Sequence, residues 1–154
     1  MRVGGGVATT MSVGRPWQSG GMGHPRLRSV VLDTTDVPRL AEFYRQLLGW
    51  SYPEGAQVED ASDWRAIVGP AGERLSFQQV DELPRTTWPT VEVPQQIHLD
   101  LIVDTRAELD ESHRRALELG AVVRLDRSAD AEEPLRVYVD PAGHTFCLFT
   151  HDVG

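Results

Sequence analysis

Gln96-Ile-His-Leu-Asp-Leu-Ile-Val103, a helical run that stops at Leu119-Gly120-Ala121, and the turn Pro141-Ala-Gly143 repeat in order a grammar used once before in the chain. There, Leu27-Arg-Ser-Val-Val-Leu-Asp33 is the strand, Asp36-Val-Pro-Arg39 opens a helix, Leu47-Leu48-Gly49 closes it, and Pro70-Ala-Gly72 is the turn. Branched residues favour the strands, Asp36 is a capping side chain, and Pro38 suits a first helical turn. Leu40, Phe43, Tyr44, Leu47 and Leu48 fall at i, i+3, i+4, i+7 and i+8, one apolar stripe that must face a sheet. In the second copy the helix runs from Arg106 to Leu119, with Leu109, Ala116 and Leu117 read on one face. Gly49 and Gly120 supply left-handed stops. Each stop precedes the proline of its turn by 21 residues, which places a hairpin at the same point of both halves. Proline at i+1 and glycine at i+3 suit a type I turn. A period of 71 residues is longer than solenoid repeats of roughly 20–50 residues and describes two fused modules.

The expectation is therefore one domain over 26–150, with module 1 at about 27–80, a proline-rich linker at 81–94 and module 2 at about 95–150. Residues 1–25 carry neither helical nor strand periodicity and read as a disordered tail, with Met22 close to the start of the fold. The chain's net charge of −8 repels phosphate backbones and anionic lipid, which argues against a nucleic-acid partner. No apolar run approaches the ~20 residues of a membrane span. All 15 basic residues are arginine, so no lysine Schiff base and no P-loop lysine is available. A single cysteine, Cys147, makes an internal disulfide impossible and fits a reducing, cytoplasmic setting.

Phe43-Tyr44 with Leu47-Leu48-Gly49-Trp50, His98-Leu-Asp-Leu101, Leu119-Gly120-Ala121 and Asp140-Pro-Ala-Gly143 together resemble the vicinal oxygen chelate superfamily, in its glyoxalase and bleomycin-resistance-like branch. The resemblance runs from about Leu27 to Phe149. It implies an α+β fold of two βαβββ modules, with curled mixed sheets, helices outside and a concave cleft. It also implies a homodimer, because relatives often complete a cleft or cover edge strands with a second copy. Chemistry is less constrained, since isomerases, epimerases, dioxygenases, thiol transferases and drug binders share the scaffold.

Strand alternation then sorts the residues. Val30 and Leu32, Leu75 and Phe77, Leu99, Leu101 and Val103, and Phe146 and Leu148 are expected against the helices. Ser29, Val31 and Asp33, Ser76 and Gln78, His98, Asp100 and Ile102, and Thr145, Cys147 and Phe149 are expected in the cleft. Metal-dependent relatives use one inward position on each of the first, fourth, fifth and eighth strands. Carried across, these are Ser29, Gln78 (Ser76 if the register follows the repeat strictly), His98 and Cys147. Serine hydroxyls and a neutral amide are weak substitutes for carboxylates. A site without metal or other cofactor is therefore expected, the alternative being one divalent transition metal on His98, Gln78 and Cys147. His98 and Asp100 are the candidate catalytic pair. Arg136 and Tyr138, and Arg65 by the repeat, are candidate ligand-binding residues if their faces turn inward. By the same repeat Trp64 is a core residue, and Trp88 in the linker is a candidate cleft wall or dimer contact. The reading is a protein that binds a small organic molecule, anionic if Arg65 and Arg136 turn into the cleft. Its rivals are a metal-dependent lyase, isomerase or dioxygenase, and a protein that sequesters an antibiotic.

Overall fold

The computed structural model describes residues 25–56 and 63–152. The expected tail, with Met22, lies outside them except for Pro25. Nine elements follow one another: β1 (Val30–Thr34), α1 (Val37–Leu48), β2 (Trp64–Val68), β3 (Arg74–Gln79), β4 (His98–Val103), α2 (Arg106–Glu118), β5 (Val122–Arg127), β6 (Leu135–Val139) and β7 (Thr145–Thr150). One sheet has the order β1-β3-β2 and the other β4-β7-β6-β5. In each, the module's first strand pairs in parallel with its last, as Val30 with Leu75 and Leu99 with Phe146. The two modules therefore share a topology. Among the described residues, the second strand of module 1 is reduced to one bridge, Ser51 to Val68, where module 2 has the whole of β5.

Local chemistry explains the boundaries. Asp36 caps α1 by accepting from the Arg39 amide, Pro38 sits in the first turn, and Gly49 ends the helix at φ 66°. Thr105 and Glu108 form a capping box on α2, two orphan amides satisfied reciprocally. In both hairpins the glycine amide donates to the residue before the proline, Gly72 to Gly69 O and Gly143 to Asp140 O. Leu109 and Ala116 are buried under α2 but Leu117 is exposed. At 100° per residue, Leu117 lies about 80° round the helix from Leu109, whereas Ala116 lies within about 20° of it.

One core joins the modules. Tyr44 is fully buried, with its ring stacked on Phe77 of its own sheet at 5.8 Å and edge-on to Phe146 of the other at 6.2 Å. Its hydroxyl donates to Asp140 Oδ2 at 2.9 Å. Leu32, Leu75, Phe77, Phe146 and Leu148 are buried against the helices, as alternation requires.

Three expectations are corrected. The Asp140–His144 turn sets Tyr138 opposite Phe146 and Arg136 opposite Leu148, so both lie on the helix face and not in the cleft. Arg136 is buried there and pairs with Asp110 of α2 at 2.9 Å and Asp126 of β5 at 3.1 Å, while Tyr138 meets His113 Nδ1 at 2.8 Å. Arg65 stands opposite Phe77, on the helix side, where it hydrogen-bonds Tyr52. Trp64, opposite Gln78, takes the other face and is 44% exposed.

Candidate functional site

β4 and β7 put His98, Asp100 and Cys147 on one face, because Asp100 and Cys147 are register partners and His98 is two residues away on the same strand. His98 Nε2 lies 3.5 Å from Asp100 Oδ1, and one donor atom from each of the three residues falls within 4.8 Å of the others. The side chains of His98 and Asp100 are 44% and 59% exposed, so they are open to a ligand. Cys147 is half-buried. Burial, with the Asp100 charge and a hydrogen bond to Asp100, pushes its thiol up to about 11.

Since the thiolate is the nucleophile, the thiolate fraction near neutral pH should be about a hundredfold below that of an ordinary thiol. Iodoacetamide labelling of the folded chain is expected to start slow and climb about tenfold per pH unit, levelling off only near pH 11. An inflection below pH 9 would contradict the burial and the Asp100 contact.

The corresponding place in module 1 holds Ser29 and Ser76, with hydroxyl oxygens 2.7 Å apart; Ser29 also reaches the Arg74 carbonyl at 3.2 Å. Strict repeat register therefore selects Ser76. Gln78 is exposed, opposite Asp33, and belongs to neither group. Among the described residues no hydrogen bond or ion pair joins the serine pair to the His98 group. The superfamily's four-position metal set does not fit this chain, because two of its positions are hydroxyls already bonded to each other. The donors that remain for an ion are His98, Asp100 and Cys147, an N, O and S set from module 2 alone.

Part of each group borders a cleft of about 420 Å³, which Ser76 and Cys147 do not line. Ser29 lines one side and His98 and Asp100 the other, over Leu48, Trp50, Leu75, Leu99 and Leu101, with Arg28, Glu73 and Arg74 also on the wall. Trp88 does not line it. The arginines of this cleft are thus not the two expected from the sequence. Strand alternation did not find them: along Leu27–Asp33 it sets Arg28 with Val30 and Leu32 on the helix side, whereas β1 begins only at Val30, and Arg74 is the first residue of β3. A smaller cavity of about 210 Å³ lies where the linker meets both modules, bordered by Asp33, Gln95, His144 and Thr145 among others. His144 Nε2 closes on the Asp33 carbonyl there at 2.6 Å.

A glyoxalase-like domain model matches residues 29–149, most of the chain. The chain belongs to that family, within the vicinal oxygen chelate proteins. Among solved structures, it is similar to a glyoxalase/bleomycin resistance protein/dioxygenase family enzyme from Burkholderia phytofirmans PsJN, with TM-score 0.61 and 16% identity over 80% of this chain and 97% of that one. A possible glyoxalase from Bacillus cereus has TM-score 0.58 and 18% identity over 84% and 99%. A mutant of the fosfomycin resistance protein FosX from Listeria monocytogenes, complexed with Mn(II) and 1S,2S-dihydroxypropylphosphonic acid, has TM-score 0.60 and 19% identity over 82% and 90%. At these identities the likeness is one of fold. No curated protein matches the chain significantly.

Proposed function

We propose that this chain binds a small, anionic organic molecule in the cleft between β1 and β4, with His98 contacting the ligand directly and no metal between them. The observation that carries the reading is the cleft itself, where an apolar floor meets Ser29, His98 and Asp100 beside Arg28 and Arg74. Its volume falls in the range of small-molecule sites, which are mostly apolar with a few placed polar groups. Guanidinium groups suit a carboxylate or phosphonate, and the FosX relative was solved with a phosphonic acid, there together with Mn(II). His98 and Asp100, facing each other, are the pair to which proton transfer is assigned if the bound molecule is transformed.

A melting-shift screen with small carboxylates and phosphonates tests the reading, since only a bound compound stabilises the native state. A compound that binds should lose about 1–3 kcal/mol of affinity in His98→Ala, the range for one buried hydrogen-bond partner. Unchanged affinity in that variant would remove His98 from the site.

A second reading has one observation behind it. The three donor atoms of His98, Asp100 and Cys147 lie close enough together to hold a divalent transition ion, as a metal-dependent lyase, isomerase or dioxygenase would need. It would bind on module 2 alone, not on the set the sequence suggests.

The assembly proposed is a homodimer. Val31 and Trp64 of one sheet, and Ile102, Val122 and Leu125 of the other, are exposed large apolar residues on the faces turned away from the helices. Apolar surface of this kind favours burial by a partner, and a second copy offers the complementary module. Sedimentation at twice the chain mass is expected at micromolar concentration, and a monomer throughout that range would refute it. No helix among the described residues is long and apolar enough to cross a membrane. A cytoplasmic setting, where Cys147 stays reduced, is part of the same proposal.

A further inference from the structure

Gln95 immediately precedes β4's lead-in and carries no signal in the sequence, yet its side chain is engaged at both ends. The buried Thr145 hydroxyl donates to Gln95 Oε1 at 2.6 Å. At the other end, the amide nitrogen stands 3.4 Å from His98 Nδ1. An amide nitrogen offers hydrogens and accepts none, so the ring nitrogen facing it acts as the acceptor. A neutral imidazole with a bare Nδ1 carries its hydrogen on Nε2. That nitrogen faces Asp100 Oδ1 at 3.5 Å, a contact as long as the one from Gln95; a carboxylate only accepts, so it favours the same tautomer, and at this length the N–H can turn to another acceptor.

We propose that Gln95, oriented by Thr145, is a positioning residue that holds His98 as its Nε2–H tautomer, so that the cleft presents a hydrogen-bond donor to a carboxylate, phosphonate or carbonyl oxygen. A histidine that ligates metal usually donates its second ring N–H to a carbonyl or carboxylate. Here the second nitrogen meets a donor, and the lone pair an ion needs is the one facing the Gln95 amide. The ligand class rests on the small-molecule reading above, whereas the tautomer stands on the Thr145–Gln95–His98 geometry alone.

The test is ¹⁵N NMR of the imidazoles in the full chain, without ligand, at about pH 8 where an ordinary histidine is neutral. His98 is assigned by the signals lost in His98→Gln. The expected spectrum has a protonated-type shift at Nε2 and a lone-pair-type shift at Nδ1. In Gln95→Glu the carboxylate accepts from Nδ1–H, and the two shifts should exchange places. In Thr145→Val the amide loses its fixed partner, and a mixture of tautomers should appear. Backbone amide spectra check that each variant is folded, and Gln95→Glu carries the test if Thr145→Val is not. A wild-type His98 protonated at Nδ1 overturns the proposal, as does an Nε2–H tautomer unmoved in Gln95→Glu. Failure of every carboxylate and phosphonate to bind would overturn the small-molecule reading and leave the tautomer standing.

Discussion

Tyr44→Ala is expected to destabilise the domain by about 3–5 kcal/mol, the range for truncating a large buried aromatic, and to lower its melting temperature by roughly 10–20 °C. The effect is large because Tyr44 serves both modules. Its ring fills the space between Phe77 and Phe146, with Phe43 edge-on at 4.9 Å. Its hydroxyl is one of the donors to Asp140, whose other oxygen accepts from the amides of Ala142, Gly143 and His144. Tyr44→Phe keeps the ring and deletes only the donor to Asp140 Oδ2. It should cost about 1–3 kcal/mol, the penalty for a buried polar atom left without its partner. Thermal unfolding distinguishes the two contributions. A Tyr44→Ala chain melting within about two or three degrees of the wild type would show that the modules do not share this core.

The second large effect comes from the repeat itself. Gly72 and Gly143 occupy the same place in their hairpins, at φ +92° and +107°, a region that side chains avoid. A Cβ at Gly72 meets nothing within 4 Å, whereas one at Gly143 would stand 2.8 Å from Arg85 Cγ and 3.4 Å from the Arg85 backbone. Arg85 is fastened there by a hydrogen bond from its guanidinium to the Pro141 carbonyl. Gly72→Ala is expected to cost about 1–2 kcal/mol of backbone strain, and Gly143→Ala about 2–4 kcal/mol, strain and steric conflict together. Combining Gly143→Ala with Arg85→Ala should recover part of the difference, because the backbone contact remains. Equal losses at the two glycines in denaturant titrations would mean that the linker does not press on the second hairpin.

Those glycines also show why so much of the fold is legible in the sequence. Helix stripes, glycine stops and Pro-Ala-Gly turns are local signals, and repeating them at a constant offset identifies two modules before any contact is known. The face of β6 was legible too, from a signal that polarity obscured. Counting back from the Asp140–His144 turn sets Tyr138 against Phe146, but an arginine and a tyrosine invite a wet reading. Arg136 tolerates the helix face because Asp110, Asp126 and the Leu109 carbonyl receive its guanidinium. Trp64 is the converse case, a large apolar residue placed by register on the exposed face. The candidate site was half visible. Alternation places His98, Asp100 and Cys147 together, since they sit on paired strands. Arg28, Arg74 and Gln95 escaped because their roles depend on how β1 and β4 stand across a cleft, and no periodicity within one strand carries that information.

The central claim is that His98 meets its ligand without an intervening ion, and metal content tests it most directly. Protein purified without chelator, incubated with zinc, manganese, iron(II) or nickel and then desalted, should carry far less than one metal per chain by elemental analysis. His98→Ala and Cys147→Ser should leave that residual content unchanged. One metal per chain, lost in either variant, would contradict the account and place an ion on His98, Asp100 and Cys147.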